Sequence, residues 1–327
     1  MAEFEHSPIP EEASCLISAE ASSEGLLVLL RSLLKACRII GTNLRNCDFS
    51  SDAVGTTNQF GDSQLDVDLK ADAVVFDCLK ESKVVHVASS EENPTEIPCD
   101  GQGYSVSFDP LDGSSIVDAN FAVGTIIGVW KGDGFLNRTG REQVCSLIVM
   151  YGPRITAAVA LNSTITASGT AIALELTLHS LVWVVSNPKL TIKPTAKTFA
   201  PGNLRATSDN LQYKGLVNFW IDNKYTLRYS GGLVPDVYHI LIKGEGVMTN
   251  ASSKAAKAKL RLLFECAPIA LIIEAAGGAS CACPSEAGEA LLPVSLLDVP
   301  ITHLDRRVGV CYGSRSEVDR FKSFLFN

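Results

Sequence analysis

The chain has 327 residues, 46% of them hydrophobic, enough apolar material for a full core in one large domain or two fused smaller ones. A formal net charge of -8 removes the basic face that a nucleic-acid partner or an anionic membrane would need, and no apolar run reaches the roughly 20 residues of a bilayer span. Ten cysteines without a repeated spacing and five scattered histidines argue against a disulfide framework or a histidine-based metal set. The stretch 1–20 carries five glutamates (Glu3, Glu5, Glu11, Glu12 and Glu20) and no Arg or Lys, unlike a targeting peptide, so a cytoplasmic location is expected.

Apolar residues at Leu26, Leu29, Leu30, Leu33, Leu34, Cys37 and Ile40 recur at helical spacing and predict an amphipathic first helix. The polar stretch 43–58 reads as a loop. A second helix is predicted over about 65–80, with Leu69, Val74, Phe76 and Leu79 toward the core, leading into an apolar strand at 84–88. A strand at 104–108 is expected to stop at Asp109-Pro110, because proline lacks the N–H that a central ladder requires. A strand at 123–130, a helix at about 141–150 and strands near 155–161, 172–177 and 181–185 follow. The proline-bearing stretch 187–201 is the best internal boundary, dividing an α/β part at 1–190 from another at 191–327. The second half alternates again, with helices at 234–243 and 268–276, a strand near Gly246 and a terminal helix from Ser316. Such alternation predicts layered α/β architecture rather than a sandwich or a bundle.

The most informative string is Asp109-Pro110-Leu111-Asp112-Gly113-Ser114-Ser115, at the point where a strand gives way to a new element. Two carboxylates three residues apart on a constrained turn can face one pocket, and the backbone N–H groups of Gly113 to Ser115 can cradle a phosphate. Carboxylates beside phosphate repel it unless a divalent cation lies between them, so the string by itself predicts magnesium bridging protein and substrate. A bare Asp-Gly-Ser-Ser would read as a capped turn; the full seven-residue string after an apolar strand is far more specific.

Glu91 and Glu92 stand beyond another strand end, the same kind of position. Asp62 and Asp68 flank the start of the second helix, while Asp66 and Asp72 are expected to face solvent or to cap; spacing alone does not sort the four. Glu265 lies between apolar residues, where burial is expensive without a cation. Lys259, Arg228 and Arg261 offer positive charge suited to a second phosphate held away from the metals. The chain has no nucleophile elbow, zincin helix or phosphate-binding Walker loop.

The string FDPLDGSSIVDANFAVGTIIGVW (108–130) resembles the fructose-1,6-bisphosphatase family of metal-dependent, inositol-monophosphatase-like phosphatases. So do NQFGDSQLDVDLKAD (58–72), SSEEN (89–93), YGPR (151–154), FAPGNLRAT (199–207), YTLRYSGGLVPDV (225–237) and KAKLRLLFE (257–265), so the likeness spans nearly the whole chain after about residue 40. It implies a layered α-β-α-β-α sugar phosphatase fold, with most metal ligands in 1–190 and the sugar-phosphate grip in 191–327. It also implies two to three Mg2+ ions, with Mn2+ as a substitute, and a homodimer or homotetramer. The implied metal ligands are Glu91, Asp109, Asp112, Glu265 and the carbonyl of Leu111, with Asp62 near the outer metal. Asp68 and Glu92 would orient and deprotonate the attacking water. Gly113, Ser114 and Ser115 would hold the scissile phosphate; Asn203, Arg228, Tyr229 and Lys259, supported by Arg261, would hold the sugar and the far phosphate, with Arg205 taking over contacts that tyrosines make in the family.

Departures from the family pattern refine this. Ala206 and Asn250 replace tyrosines on the far phosphate, which leaves room for one more sugar carbon and points to the 1-phosphate of sedoheptulose 1,7-bisphosphate as the target. Gly103 replaces a lysine that helps bind inhibitory AMP, and Ser51 and Thr56 replace a redox cysteine pair of plastid members. The rival expectations are a fructose-1,6-bisphosphatase, a dual-specificity enzyme, or an inactive sugar-phosphate-binding scaffold, against which the complete acidic set counts.

Overall fold

The computed structural model describes residues 21–46, 53–57, 63–284 and 292–326. Helix α1 (Ala21–Arg45) buries its leucine stripe, Leu26 through Ile40, against α2 (Asp66–Ser82) and one face of a large sheet. Between the helices, the stretch expected as a loop contains β1 (Ala53–Thr57), paired antiparallel with β2 (Ser63–Leu65). A short polar ribbon is made by strand pairing, and nothing in its hydrophobic period announces it.

The large sheet is built from β3 (Val85–Ser90), β4 (Ile97–Pro98), β5 (Tyr104–Asp112), β6 (Val123–Lys131), β7 (Gln143–Tyr151), β8 (Ile155–Leu161), β9 (Ile172–His179) and β10 (Val182–Asn187). Among the described residues it has eight strands in the order β10-β9-β8-β7-β6-β5-β3-β4, antiparallel from β5 to β10, with β3 parallel to β5. The helix expected over 141–150 is strand β7. Its residues are buried except Met150, because helices cover both faces of the sheet. Such a strand is buried on both faces, and by periodicity alone it cannot be told from a buried helix.

Strand β5 also departs from expectation, running through Asp109-Pro110 to Asp112. Asp109 faces Ile126 and Asp112 faces Gly124, so β5 carries one residue more than β6 in this interval, a β-bulge. The neighbour on its other side, β3, ends at Ser90 opposite Phe108, so Pro110 is asked for no ladder donor.

A second sheet, five-stranded among the described residues, comprises β11 (Thr198–Gly202), β12 (Thr226–Leu227), β13 (Val247–Asn250), β14 (Ala279–Cys283) and β15 (Gly309–Gly313), in the order β12-β11-β13-β15-β14. Helices α4 (Leu233–Lys243) and α5 (Ala267–Ala275) fill the space between the sheets, around Trp130, Ile148, Val237, Ile269 and Tyr312. Helices α3 (Leu211–Asp222) and α6 (Arg315–Leu325) cover the outer face of the second sheet around Trp220 and Phe321. With α1 and α2 outside the first sheet, the layers run α-β-α-β-α, as expected. No helix among the described residues is long and apolar enough to cross a membrane. Cys37, Cys78, Cys99, Cys145, Cys266, Cys281, Cys283 and Cys311 are all buried.

Candidate active site

Strands β3 and β5 run in the same direction and end side by side, so their C-terminal ends bring Glu91, Glu92 and the 109–115 string to one place. A cavity of about 210 Å3 lies there, lined by Asp68, Glu91, Glu92, Asp109, Leu111, Asp112, Gly113, Ser114, Ser115 and Glu265. All were singled out from the sequence. Asp68 comes from the first turn of α2, and Glu265 from the wide helical turn Leu262–Cys266 that leads into α5. Asp62 lies outside the described residues.

The bulge aims the carboxylates. Asp109 Oδ1 accepts the Leu111 N–H at 3.0 Å, and Gly113 adopts a φ of 85°, a left-handed conformation that costs glycine nothing. Asp112 reaches the N-terminus of α4, accepting Leu233 N–H at 3.2 Å on Oδ1 and Val234 N–H at 2.6 Å on Oδ2. The positive end of a helix favours a carboxylate there. Gly124, opposite Asp112 in the ladder, permits this approach: a Cβ on it would lie 2.4 Å from Val234 Cγ1.

Burial, followed by the Glu91 charge and then those of Asp112 and Glu265, drives the Asp109 carboxyl far above the usual carboxylate range. Burial and then Glu91 do the same to Glu265, against the pull of Arg261. Burial pushes Asp112 up to about 7 despite the two α4 amides. Asp68 is pushed up to about 8, by burial and then by Glu92, with the Ser114 hydroxyl acting the other way. Carboxylates crowded out of water in this manner call for a cation.

Arg261 supplies part of that charge. The resemblance implied a place for it in support of the substrate grip, and the structure puts it within the acidic cluster. Its side chain is 4% exposed; Nη1 donates to Glu91, Nε donates to Asp305 Oδ1 at 2.6 Å, and its backbone N–H donates to Glu265 Oε2 at 2.5 Å. Asp305 was not singled out, because in His303-Leu304-Asp305-Arg306-Arg307 it reads as one charge of a solvated run. Asp72 is a correction. Expected at the surface or in a cap, it is buried, and its Oδ2 accepts the Asn93 amide at 2.6 Å. The available signal was its spacing of four from Asp68, which puts both on one face of α2. Asp66, by contrast, is partly exposed and pairs with Lys70 at 2.8 Å.

The donors around the cavity are all oxygen, carboxylates plus the Leu111 carbonyl, a hard set that suits Mg2+ or Mn2+. Among the described residues no group of three or more His, Cys, Asp or Glu is drawn together closely enough to hold a metal ion. Glu91 is turned to Arg261 and Asp112 to the α4 amides, which accounts for the open arrangement.

The residues expected to grip the sugar are held less firmly. Arg205, Arg228, Tyr229 and Lys259 are exposed. Burial and then the Asp236 charge raise the Tyr229 hydroxyl, Arg205 opposes them, and Asp112 adds to the rise, which places all three charges around this tyrosine. Arg228 Nη1 donates to its own chain at Leu227 O, 2.8 Å. Asn203 donates its amide to the carbonyls of Ala251 at 2.8 Å and Ala256 at 3.0 Å, so it shapes the segment that leads to Lys259. Asp236, missed in the sequence, accepts the N–H groups of Ser230 at 2.7 Å and Gly231 at 3.4 Å and ties the loop after Tyr229 to α4. Ala206 is fully buried in the core beneath α3.

Comparison with known proteins gives one result throughout. Family models match the fructose-1-6-bisphosphatase N-terminal domain over residues 13–172 and its C-terminal domain over residues 192–326. The chloroplastic sedoheptulose-1,7-bisphosphatase of Chlamydomonas reinhardtii is 46% identical over 303 residues, covering 91% of this chain and 73% of that protein. The class 1 fructose-1,6-bisphosphatase of Trichlorobacter lovleyi is 34% identical, covering 93% of this chain and 91% of its own length. A crystal structure of a Toxoplasma gondii protein assigned as a sedoheptulose-1,7-bisphosphatase superposes with a TM-score of 0.82 at 41% identity, covering 92% of this chain and 94% of the other. Leishmania major fructose-1,6-bisphosphatase in holo form gives 0.81 at 25% identity, covering 93% and 95%.

Proposed function

Since the chain belongs to the fructose-1,6-bisphosphatase family of phosphatases, we propose that it hydrolyses the 1-phosphate of sedoheptulose 1,7-bisphosphate, yielding sedoheptulose 7-phosphate and inorganic phosphate in a magnesium-dependent reaction. The observation that carries this reading is the convergence of Asp68, Glu91, Glu92, Asp109, Asp112 and Glu265 on one cavity beside the Gly113–Ser115 backbone. The seven-carbon sugar is favoured by the identity of 46% to a sedoheptulose-1,7-bisphosphatase against 34% to a fructose-1,6-bisphosphatase. Fructose 1,6-bisphosphate, alone or in addition, is the alternative substrate.

Glu91, Asp109, Asp112, Glu265 and the Leu111 carbonyl would hold the ions. Magnesium, when bound, supplies Lewis-acid neutralisation of the phosphoryl oxygens and of the attacking and leaving oxygens. Gly113, Ser114 and Ser115 hold the 1-phosphate by amide and hydroxyl donation, which fixes it for in-line attack. Glu92 stands close enough to Asp68 to raise its carboxyl; the two orient the water and accept its proton. Arg205, Arg228, Tyr229 and Lys259 hold the far phosphate and the sugar, and no covalent phosphoenzyme forms. The assembly is expected to be a homodimer or homotetramer.

The test is phosphate release from each bisphosphate by the purified protein, with and without Mg2+. Asp112→Asn or Glu91→Gln should lower turnover on the order of a thousandfold, the several kcal/mol that such ion-mediated stabilisation supplies, while circular dichroism stays unchanged. Turnover near that of the parent protein would overturn the assignment.

A further inference from the structure

We propose that Asp72 and Asn93 are a positioning pair that locks the Glu91-Glu92 turn to helix α2 and thereby sets Glu92 and Glu91 relative to Asp68. The inference rests on the hydrolase reading above and names residues that reading does not use.

Asn93 closes the turn on itself. Its backbone N–H donates to Ser90 Oγ at 2.9 Å, its carbonyl accepts the Ser90 N–H at 3.1 Å and the Ser89 hydroxyl at 3.4 Å, and the same carbonyl accepts the Thr95 N–H at 2.8 Å. Glu91 and Glu92 are the two residues left at the tip, and the Glu91 N–H is anchored to Phe108 O at 3.1 Å on β5. The closed loop is also joined to α2: Asn93 Nδ2 donates to Asp72 Oδ2 at 2.6 Å, and the Ser90 hydroxyl bonds the same carboxyl. Asp72 is 4% exposed, and it lies one helical turn after Asp68 on the same face of α2.

The carboxyl is kept inside at a cost. Burial pushes it up to about 6 against the pull of the Ser90 hydroxyl and the Asn93 amide. A buried acid with no contact to the cavity, bonded to the residue that follows two cavity glutamates, is placed to orient groups that do touch the ions and the water. Removing outer partners of this kind costs roughly 10- to 100-fold in metal affinity or activity.

The experiment is a double-mutant cycle in the full-length protein, with kcat, KM, Mg2+ affinity by calorimetry, and amide exchange of residues 89–93 as readouts. Asp72→Ala and Asn93→Ala should each lower kcat about tenfold or more and weaken Mg2+ binding about tenfold, with KM for the sugar bisphosphate within about twofold of the parent. Asn93→Asp should be worst, because it sets a second, half-buried carboxylate against the buried Asp72. The reciprocal swap, Asp72→Asn with Asn93→Asp, restores the bond in the opposite direction at unchanged volume. It should return kcat, Mg2+ affinity and slow exchange of the turn to within about threefold of the parent, a rescue that loss of packing would not give. The pair is refuted if the swap is no better than Asn93→Asp, or if both alanine variants keep parental kcat and Mg2+ affinity. Parent protein that releases no phosphate from either bisphosphate removes the hydrolase reading instead, while calorimetry and amide exchange still judge the pair without turnover.

Discussion

The acidic residues of the cavity and the surface residues proposed to hold the sugar are held in place by different means. Asp109 and Asp112 hang on a bulged strand in the middle of the molecule and are gripped by backbone N–H groups, and Glu265 and Glu91 are tied to a buried arginine. Arg205, Arg228, Tyr229 and Lys259 stand at the surface on turns and strand ends. The first arrangement orders the carboxylates by bonds within the fold. The second gives reach and attraction at a low cost in ordering, and exposed charges act weakly one at a time. Loss of an acidic residue should therefore strike turnover, and loss of a cation should strike binding.

The sharpest break of that contrast is Glu265→Gln, which keeps an acceptor for the Arg261 N–H and removes one buried charge. Turnover should fall about a thousandfold. Calorimetric scanning in chelator should show melting no lower than the parent. Mg2+ at about 100 times its Kd stabilises a native state by roughly 2.7 kcal/mol, and the variant should lose most of that gain. A variant that melts several degrees lower in chelator would show that Glu265 holds the fold rather than the ions.

A smaller effect is expected from Gly124→Ala, which touches no substrate. Its new methyl meets Val234 at 2.4 Å and the Val149 carbonyl at 2.7 Å, so α4 must shift off the sheet and away from Asp112. Overpacking of this sort costs about 1–3 kcal/mol, to be read by denaturant unfolding, and kcat should fall with it. Unchanged kcat at reduced stability would mean that Asp112 does not need the α4 amides. The mildest change is Lys259→Ala, for which KM should rise about tenfold and kcat stay within about twofold, as for a contact made equally in ground and transition states. A loss confined to kcat would move Lys259 from the binding side to the chemistry.

How much of this was legible in the sequence depended on how local each feature is. The string 109–115 carries a strand end, a proline, a glycine turn and two carboxylates within seven residues, so its chemistry shows without knowledge of the rest of the chain. The helical stripe of α1 is local in the same sense. Strand β7 was misread because nothing within 143–151 separates a strand covered on both faces from a buried helix; only the ladders to β6 and β8 decide it. The site behaved alike. Glu91, Glu92 and the 109–115 string were visible from residue types at strand ends and Asp68 only through the family resemblance, while Asp72, Asp236 and Asp305 were not.

Composition, periodicity and one dense motif thus determined a layered α/β chain with an acidic cavity at the ends of two strands. Tertiary structure alone decided that Arg261 serves Glu91 from 170 residues away, that Asp305 holds that arginine from 44 residues away, and that Asp72 faces Asn93 from 21 residues away. Each of these residues taken singly has the composition of a surface charge. A charge becomes costly, and so acquires a required partner, only once folding has taken it out of water, and which partner that is depends on elements that meet in space and not along the chain.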